Sequence, residues 1–383
     1  MNAPVLVHGM GKELTEPDWP PLTTAEVREV LAGYGSAPTR TTKIIWRSPR
    51  PFAASALVRW GEVTVFVKRH HRAVRNAAQL AAEHAFVAHL RARGIATPAI
   101  FRTQTGASTL TSGDYVYEVH ERAAGADLYR DAMSWTPYAS VRHAAAAGAA
   151  LARLHLAAAD GALPARPFGA LIGSQEILTA TWPPGAIAGL LRARPGLAAY
   201  LDSRAWAREM DGCVLPLIDR AAPLLTGLPS QWGHGDWHPT NLTWTSAGAD
   251  ADVADVFDLG LANRTSAVHD LAIALERSTI SWLDLAESGR ADADLAAIDA
   301  LLGGYESVRP LAPAEAVALA EVLPVAHVEY SLSEVEYFAD VVRRPDLADL
   351  AYEGYLLGHA RWFAGPDGTA VLEHLRRRAL ASH

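Results

Sequence analysis

The sequence predicts an α+β chain of two lobes: a small lobe built on an antiparallel sheet, residues 1–120, and a larger, mainly helical lobe, residues 121–383. Three observations carry this reading. Short β-prone runs bounded by turn residues crowd the first third, at residues 41–46, 56–60, 63–68 and 115–120. A single long helical pattern, residues 74–93, interrupts them. From Leu128 onward the periodicity becomes helical, punctuated by Pro and Gly, apart from one strand–turn–strand pattern across residues 242–257.

Bulk properties narrow the function. The 383 residues are 50% hydrophobic, enough for a large core, and the net charge of −8 with no basic tract argues against a nucleic-acid partner. Cys213 stands alone, so no internal disulfide forms and a reducing compartment is expected. The stretch Met1 to Trp19 has no apolar core of signal-peptide length, and no run is long and apolar enough to span a bilayer. A cytoplasmic protein without a membrane partner is therefore expected. Arginine outnumbers lysine so heavily that each of Lys12, Lys43 and Lys68 merits inspection.

In the small lobe, Thr23-Thr24 opens a leading helix near 23–33, expected to lie outside the two lobes proper. Residues 56–60 and 63–68 form a hairpin turning at Gly61-Glu62, with Thr64, Phe66 and Lys68 on one face and three valines on the other. Lys68 reads either as a snorkelling strand-end lysine or as a partner for a buried carboxylate. The helix 74–93 ends at Gly94, a suitable C′ residue. Within its apolar stripe of Leu80, Val87 and Leu90 sits Glu83. A carboxylate buried there needs a cation, and Lys68 is the nearest upstream candidate; otherwise Glu83 lies at the stripe's edge in water.

The stretch that organises the chain is Gly233-His234-Gly235-Asp236-Trp237-His238-Pro239-Thr240-Asn241, followed by Asp258-Leu259-Gly260. The intervening hairpin returns the chain on itself and brings Asn241 close to Asp258, with Asp236 just upstream. Two carboxylates and an amide suit a hard cation such as magnesium. A rival reading makes His234, Asp236 and His238 a zinc site, and another makes the run a polar loop without chemistry.

The spacing His234-Gly235-Asp236 with Asn241, then Asp258-Leu259-Gly260, resembles the catalytic apparatus of the protein-kinase-like fold, and its His-Gly-Asp form looks most like the aminoglycoside phosphotransferase and choline kinase family. The resemblance implies ATP and Mg2+, with Asp236 as base or orienter of a hydroxyl and Asn241 and Asp258 as ligands of nucleotide-bound magnesium. It implies Lys68 on phosphate, held by Glu83, and an adenine edge at Glu118, Val119 and His120. His234 would fix the loop, and Asp270, an N-cap by its sequence position, would brace it. The phosphate-covering loop falls at Ser48-Pro49-Arg50-Pro51-Phe52-Ala53-Ala54-Ser55, which departs from the glycine-rich pattern; Ser55 and backbone amides could still reach phosphate there, or the stretch is an ordinary turn.

The function so implied is transfer of a γ-phosphoryl group to a hydroxyl of a small molecule; the alternatives are a protein Ser/Thr kinase and a nucleotide-binding pseudokinase of the same fold. Among later elements, residues 141–157 and 206–217 read as helices, the second ending near Pro216 or Pro223, with His155 a packing histidine. On a helix at 327–341, Glu329, Ser333, Glu336 and Asp340 share one face. That face is either a solvated acidic stripe or the place where Glu329 and Glu336 meet an amine-bearing acceptor.

Overall fold

The computed structural model describes residues 6–35, 41–161 and 163–381; Met1 to Val5 of the N-terminal stretch lie outside them. A short hairpin, β1 (Val7–His8) and β2 (Leu14–Thr15), precedes helix α1 (Thr24–Ala32). The small lobe's sheet follows with β3 (Thr42–Arg47), β4 (Ala54–Trp60) and β5 (Val63–His71). Helix α2 (Ala77–Ala92) then leads to β6 (Leu110–Ser112) and β7 (Tyr115–Glu121). The sheet order is β3-β4-β5-β7-β6, with every neighbouring pair antiparallel.

Alternation along β5 decides which side does what. Val65 and Val67 face a core shared with Val27, Val30 and Leu31 of α1, whereas Phe66, Lys68 and His70 face the interlobe cleft. The leading helix is thus not outside the lobes. Its capping box of Thr23 and Glu26 starts it, and its apolar face covers the far side of the sheet. Glu26 also accepts from Arg69 and from Tyr117 Oη at 2.9 Å, which locks α1 to β5 and β7. Helix α2 starts three residues later than its periodicity suggested, because Asn76 and Gln79 form its capping box; Gly94, at φ 81°, closes it as expected.

The large lobe begins with α3 (Val141–Ala158), α4 (Pro183–Ala193), α5 (Pro195–Asp202), α6 (Trp206–Cys213) and α7 (Leu215–Thr226). Pro216 opens α7 rather than ending a helix, since the first helical turn needs no N–H from it, and Pro223 is carried inside α7. Strands β8 (Ser230–Gly233), β9 (Leu242–Trp244), β10 (Val253–Val256) and β11 (Asn263–Ser266) carry the site, β9 pairing with β10 and β8 with β11. Helices α8 (Ala267–Thr279), α9 (Trp282–Ser288), α10 (Leu295–Glu306), α11 (Pro313–Val322), α12 (Val328–Glu336), α13 (Pro345–Asp349), α14 (Gly358–Ala364) and α15 (Pro366–Ala381) complete the lobe. No helix among the described residues is long and apolar enough to cross a membrane.

The central helices α3 and α10 approach closely through small residues. A Cβ on Gly148 would lie 2.0 Å from the Leu301 carbonyl oxygen, and one on Gly304 would lie 1.9 Å from that of Ala145. Substituting Gly148→Ala should gain roughly 1 kcal/mol of helix propensity and lose more to overpacking. The expected result is a net destabilisation of about 2 kcal/mol in urea unfolding. A variant as stable as the parent would show that the backbones do not touch there.

Candidate active site

The cleft between the lobes, about 280 Å³, is lined from above by Ser55, Phe66, Lys68, Glu83, Glu118 and His120, and from below by Asp236, Asn241 and Asp258. The hairpin reading holds in detail: Phe257 N donates to Asn241 O at 3.1 Å, so the ends of β9 and β10 set Asn241 beside the segment leading to Asp258. Asp258 itself has φ 56°, a left-handed backbone that Asp tolerates better than most residues.

Bracing of the loop comes from buried groups. Asp270 accepts from the amides of His234 and Gly235, both at 2.7 Å, and from His155 Nε2 at 2.9 Å. The N-cap of α8 is Ser266, which accepts from His269 N, so Asp270 occupies the first turn and spends its carboxylate on the loop instead. Gly235, at φ 75°, could not be another residue without collision, because a Cβ there would lie 2.3 Å from Leu261 O. His234 accepts from Asp236 N through Nδ1 at 3.2 Å and donates from Nε2 to Phe257 O at 3.1 Å. Both its nitrogens are therefore committed, and the zinc reading of His234, Asp236 and His238 is set aside. His155, fully buried between Asp270 and Tyr305 Oη, is the satisfied packing histidine expected.

Asp236 lies where three side chains converge. Arg277 Nη1 donates to its Oδ1, His238 Nε2 lies 3.2 Å from the same oxygen, and Asn241 Nδ2 donates to Oδ2 at 3.1 Å. Burial would raise the Asp236 pKa, but His238 and Arg277 outweigh it and hold the carboxyl far below its ordinary value. It is a carboxylate at any working pH.

Lys68 does not pair directly with Glu83. Its Nζ donates to Asp258 Oδ1 at 2.8 Å across the cleft. Burial would lower its pKa, but Asp258, Glu118 and Glu83 overcome that and raise it. Glu83 is buried as the apolar stripe required, at 6% exposure, yet among the described residues its Oε2 has no hydrogen-bond partner. Its charge acts at a distance on Lys68, Arg75 and Arg166.

The stretch Glu118, Val119 and His120, expected to offer an adenine edge, is paired strand. These residues lie inside β7, opposite Lys68, Val67 and Phe66 of β5, and Val119 O already accepts from Phe101 N. A strand bonded on both sides offers no free backbone edge. The Glu118 side chain is caged by His70 at 3.0 Å and His84 at 2.6 Å; burial would raise its pKa, but the two imidazoles hold it well below the usual range. His120 does face the cleft, beside Phe66. The chain leaves the sheet after Glu121, and Arg122 and Ala123 line the cleft there.

Neither Glu329 nor Glu336 faces the cleft. Glu329 is 3% exposed and accepts from Ile177 N, Leu178 N and Ser174 Oγ, burial pushing its pKa up to about 7. Glu336, also buried, pairs with Arg194 at 2.6 Å. On α12, which is buried on nearly all sides, both carboxylates of the stripe are thus taken up by protein groups, while Asp340 lies beyond the helix in a π-helical turn and is exposed. The residues of α12 that line the cleft are Tyr330 and Glu334, i and i+4 on a different face. Burial pushes Glu334 up to about 8. Beside them, Trp135 and Tyr355 complete an aromatic wall, and the Arg277 guanidinium lies 4.5 Å from the Tyr330 ring and 5.2 Å from Trp135. Sequence reasoning missed Arg277. The available signal was its place seven residues after Asp270, two turns along the same helix face.

The donor set fits a hard divalent cation on a polyphosphate. Asn241 commits its amide nitrogen to Asp236 and Asp258 commits one oxygen to Lys68, while among the described residues no hydrogen bond takes the Asn241 oxygen or the second Asp258 oxygen. A bilobal fold with these residues facing one another across the cleft defines a protein-kinase-like phosphotransferase architecture. The sequence pattern of the phosphotransferase enzyme family matches residues 52–311, and the chain belongs to that family. The chain is 33% identical over 194 residues to a homoserine kinase of Gluconacetobacter diazotrophicus, covering 48% of this chain and 50% of that protein. It is 29% identical over 234 residues to a homoserine kinase of Rhodospirillum rubrum, covering 60% and 61%. The chain thus spans only about half to three fifths of these relatives' lengths. A microcompartment-associated aminopropanol kinase shares the fold at TM-score 0.54 and 17% identity, covering 90% of this chain and 99% of that one. An amicoumacin kinase, solved with AMP-PNP and Ca2+, does so at TM-score 0.57 and 14% identity, covering 88% and 93%.

Asp270 makes a testable contribution to stability. Burial would raise its pKa, but His155, His234 and the Gly235 amide bring it down to about 2. A depressed carboxylate adds stability that is present above its unfolded pKa and lost as pH falls through the folded one; here that is about 2 kcal/mol. Asp270→Asn should be less stable than the parent near neutral pH, and the gap should shrink as pH falls from about 4 to about 2. A gap independent of pH in urea titrations would contradict the assignment.

Proposed function

We propose that the protein transfers the γ-phosphoryl group of ATP to a hydroxyl of a small, amine-bearing molecule, with magnesium. The observation that carries this reading is the convergence of Arg277, His238 and Asn241 on Asp236, beside Asp258 and opposite Lys68. Asp236, ionised and held at fixed orientation, accepts the hydrogen bond of the acceptor hydroxyl and then its proton. Arg277 and His238 prevent the carboxylate from rotating away. Lys68 neutralises phosphate charge from the small lobe. Asn241 and Asp258 would hold magnesium, which supplies charge neutralisation on the phosphates when bound. The backbone at Arg122 and Ala123 is the adenine edge in this reading, with Phe66 and His120 against the base.

The acceptor side of the cleft supports a small substrate. Gly9, Met10 and Gly11 of the N-terminal segment line it from outside, with the Met10 carbonyl accepting from Tyr355 Oη, which narrows the space a protein substrate would need. An ammonium group suits Glu334 among Tyr330, Trp135 and Tyr355, because a cation both ionises a buried carboxyl and lies favourably on aromatic faces. The partial similarity to homoserine kinases is consistent with an acceptor carrying both amine and hydroxyl.

Asp236→Asn should lower turnover at least about a hundredfold while leaving nucleotide binding in place. ADP release, measured over a panel of hydroxyl compounds, reads this directly; near-normal turnover would remove Asp236 from the role of base. Asp258→Ala should abolish magnesium-dependent nucleotide binding with the fold intact by circular dichroism. Glu334→Gln should erase the preference for amino over matched non-amino acceptors. Retention of that preference would place the amine elsewhere.

A further inference from the structure

The loop between β3 and β4 covers the phosphate end of the cleft without a single glycine. Glycine-rich loops approach phosphate closely and offer backbone N–H groups to it. This one contains Pro49 and Pro51, which have no N–H, so its backbone is a poor phosphate cradle. Between the prolines stands Arg50, and its placement is heavily determined. Ser48 N donates to Ser55 O at 2.9 Å and Arg50 N to Ser48 Oγ at 3.3 Å, which fixes the turn. His8 N donates to Pro49 O at 2.8 Å, and Phe52 packs edge-on to Tyr337 of the large lobe at 5.3 Å. The loop is thus clamped by the N-terminal hairpin on one side and the large lobe on the other.

The Arg50 side chain lines the same cleft as Lys68, Asp236 and Asp258. One guanidinium nitrogen, Nη1, lies 2.7 Å from His8 Nδ1. Burial and the neighbouring Arg50 charge lower the His8 pKa to about 4, so the imidazole is neutral and accepts the bond without cancelling the arginine's charge. Among the described residues, no carboxylate forms an ion pair with Arg50, although Asp258, Asp236 and Asp127 all act on its charge from a distance. Lys68, by contrast, is already paired with Asp258. A guanidinium has five donors, and among the described residues those of Arg50 beyond the His8 contact are left for a ligand.

On the reading given under Proposed function, we propose that Arg50 contacts the terminal phosphoryl group of the nucleotide, doing with a side chain what this loop's backbone cannot do, and that His8 is the residue that positions it. A planar, permanently charged fork suits a phosphoryl group whose charge spreads over several oxygens during transfer. The N-terminal hairpin is then part of the phosphate site, and the clamp on Phe52 ties the loop's position to closure of the two lobes.

The test compares the parent protein with Arg50→Met, Arg50→Lys and His8→Ala, each checked for folding by thermal melt. Magnesium-bound AMP-PNP and ADP affinities are measured by calorimetry, and turnover by ADP release. Arg50→Met should weaken AMP-PNP at least about tenfold, leave ADP within about twofold and lower kcat at least about a hundredfold, in line with loss of a phosphate-stabilising group. Arg50→Lys should recover part of kcat, and His8→Ala should lower kcat by a smaller factor in the same AMP-PNP-selective way. Equal loss of AMP-PNP and ADP affinity, or an unchanged kcat in Arg50→Met, would overturn the contact with the terminal phosphoryl group. If Arg50→Met fails to fold, an Arg50→Lys protein with unaltered AMP-PNP-to-ADP selectivity and kcat overturns it equally. An unchanged His8→Ala would overturn the positioning role. Failure of the parent protein to bind either nucleotide would instead strike the kinase reading itself.

Discussion

Asp236 must remain charged in a place where water is scarce, and the structure is arranged around that requirement. A carboxylate taken out of water is costly unless cations and donors surround it. Arg277, whose side chain is only 2% exposed, meets that need, and it in turn requires Asp236, since an unpaired buried guanidinium would be equally costly. Arg277 lies near the end of α8, whose first turn carries Asp270. One helix therefore holds the loop at two points: Asp270 grips the backbone at His234 and Gly235, and Arg277 grips the side chain of Asp236. The intervening backbone is short and rigid, so the orientation of Asp236 is over-determined.

The small lobe presents the complementary charge. Lys68 sits in a strand whose other face is anchored to α1, and its neighbours Glu83 and Glu118 are both buried. Glu118 is balanced by His70 and His84, and the field of Glu83 is shared by Lys68 and two arginines. The small lobe thus offers a cation to the cleft on a negatively charged foundation. The N-terminal hairpin reaches across both lobes: His8 N bonds to Pro49 O of the small lobe, while the Met10 carbonyl accepts from Tyr355 Oη of the large one. Trp19, stacked on His71 and bonded to Tyr337 Oη, repeats the bridge just before α1. A mostly helical lobe and a sheet lobe are in this way tied together by a segment whose Met10 and Trp19 pack against the large core while His8 bonds to the small lobe.

Chain order and local pattern carried much of this. The hairpin linking Asn241 to Asp258 was legible because both strand runs and the turn between them are short and self-contained. The burial of Glu83 followed from its place in an apolar helical stripe. The same kind of pattern misled at α12, where Glu329, Ser333 and Glu336 do share a face as the spacing says, but what that face meets is decided by residues far away in sequence. Ile177, Leu178 and Ser174 reach Glu329, and Arg194 reaches Glu336. The backbone at Glu118, Val119 and His120 shows a related effect. Residues 118–120 read as an edge strand alone, yet the segment around Phe101 pairs with them and takes their free side.

By itself, then, the sequence determined the two-lobed order of elements, the hairpin that sets Asn241 beside Asp258 and the placing of Asp236 just upstream of it, because each depends on contacts among neighbours a few residues apart. Tertiary structure alone decided which cation meets which carboxylate. Lys68 meets Asp258 across 190 residues and Arg277 meets Asp236 across 41, while Glu83 keeps an oxygen without a partner among the described residues. Charge pairing in a buried cleft depends on distances between elements and on which group is most deeply desolvated, and neither quantity is written in any local stretch of chain.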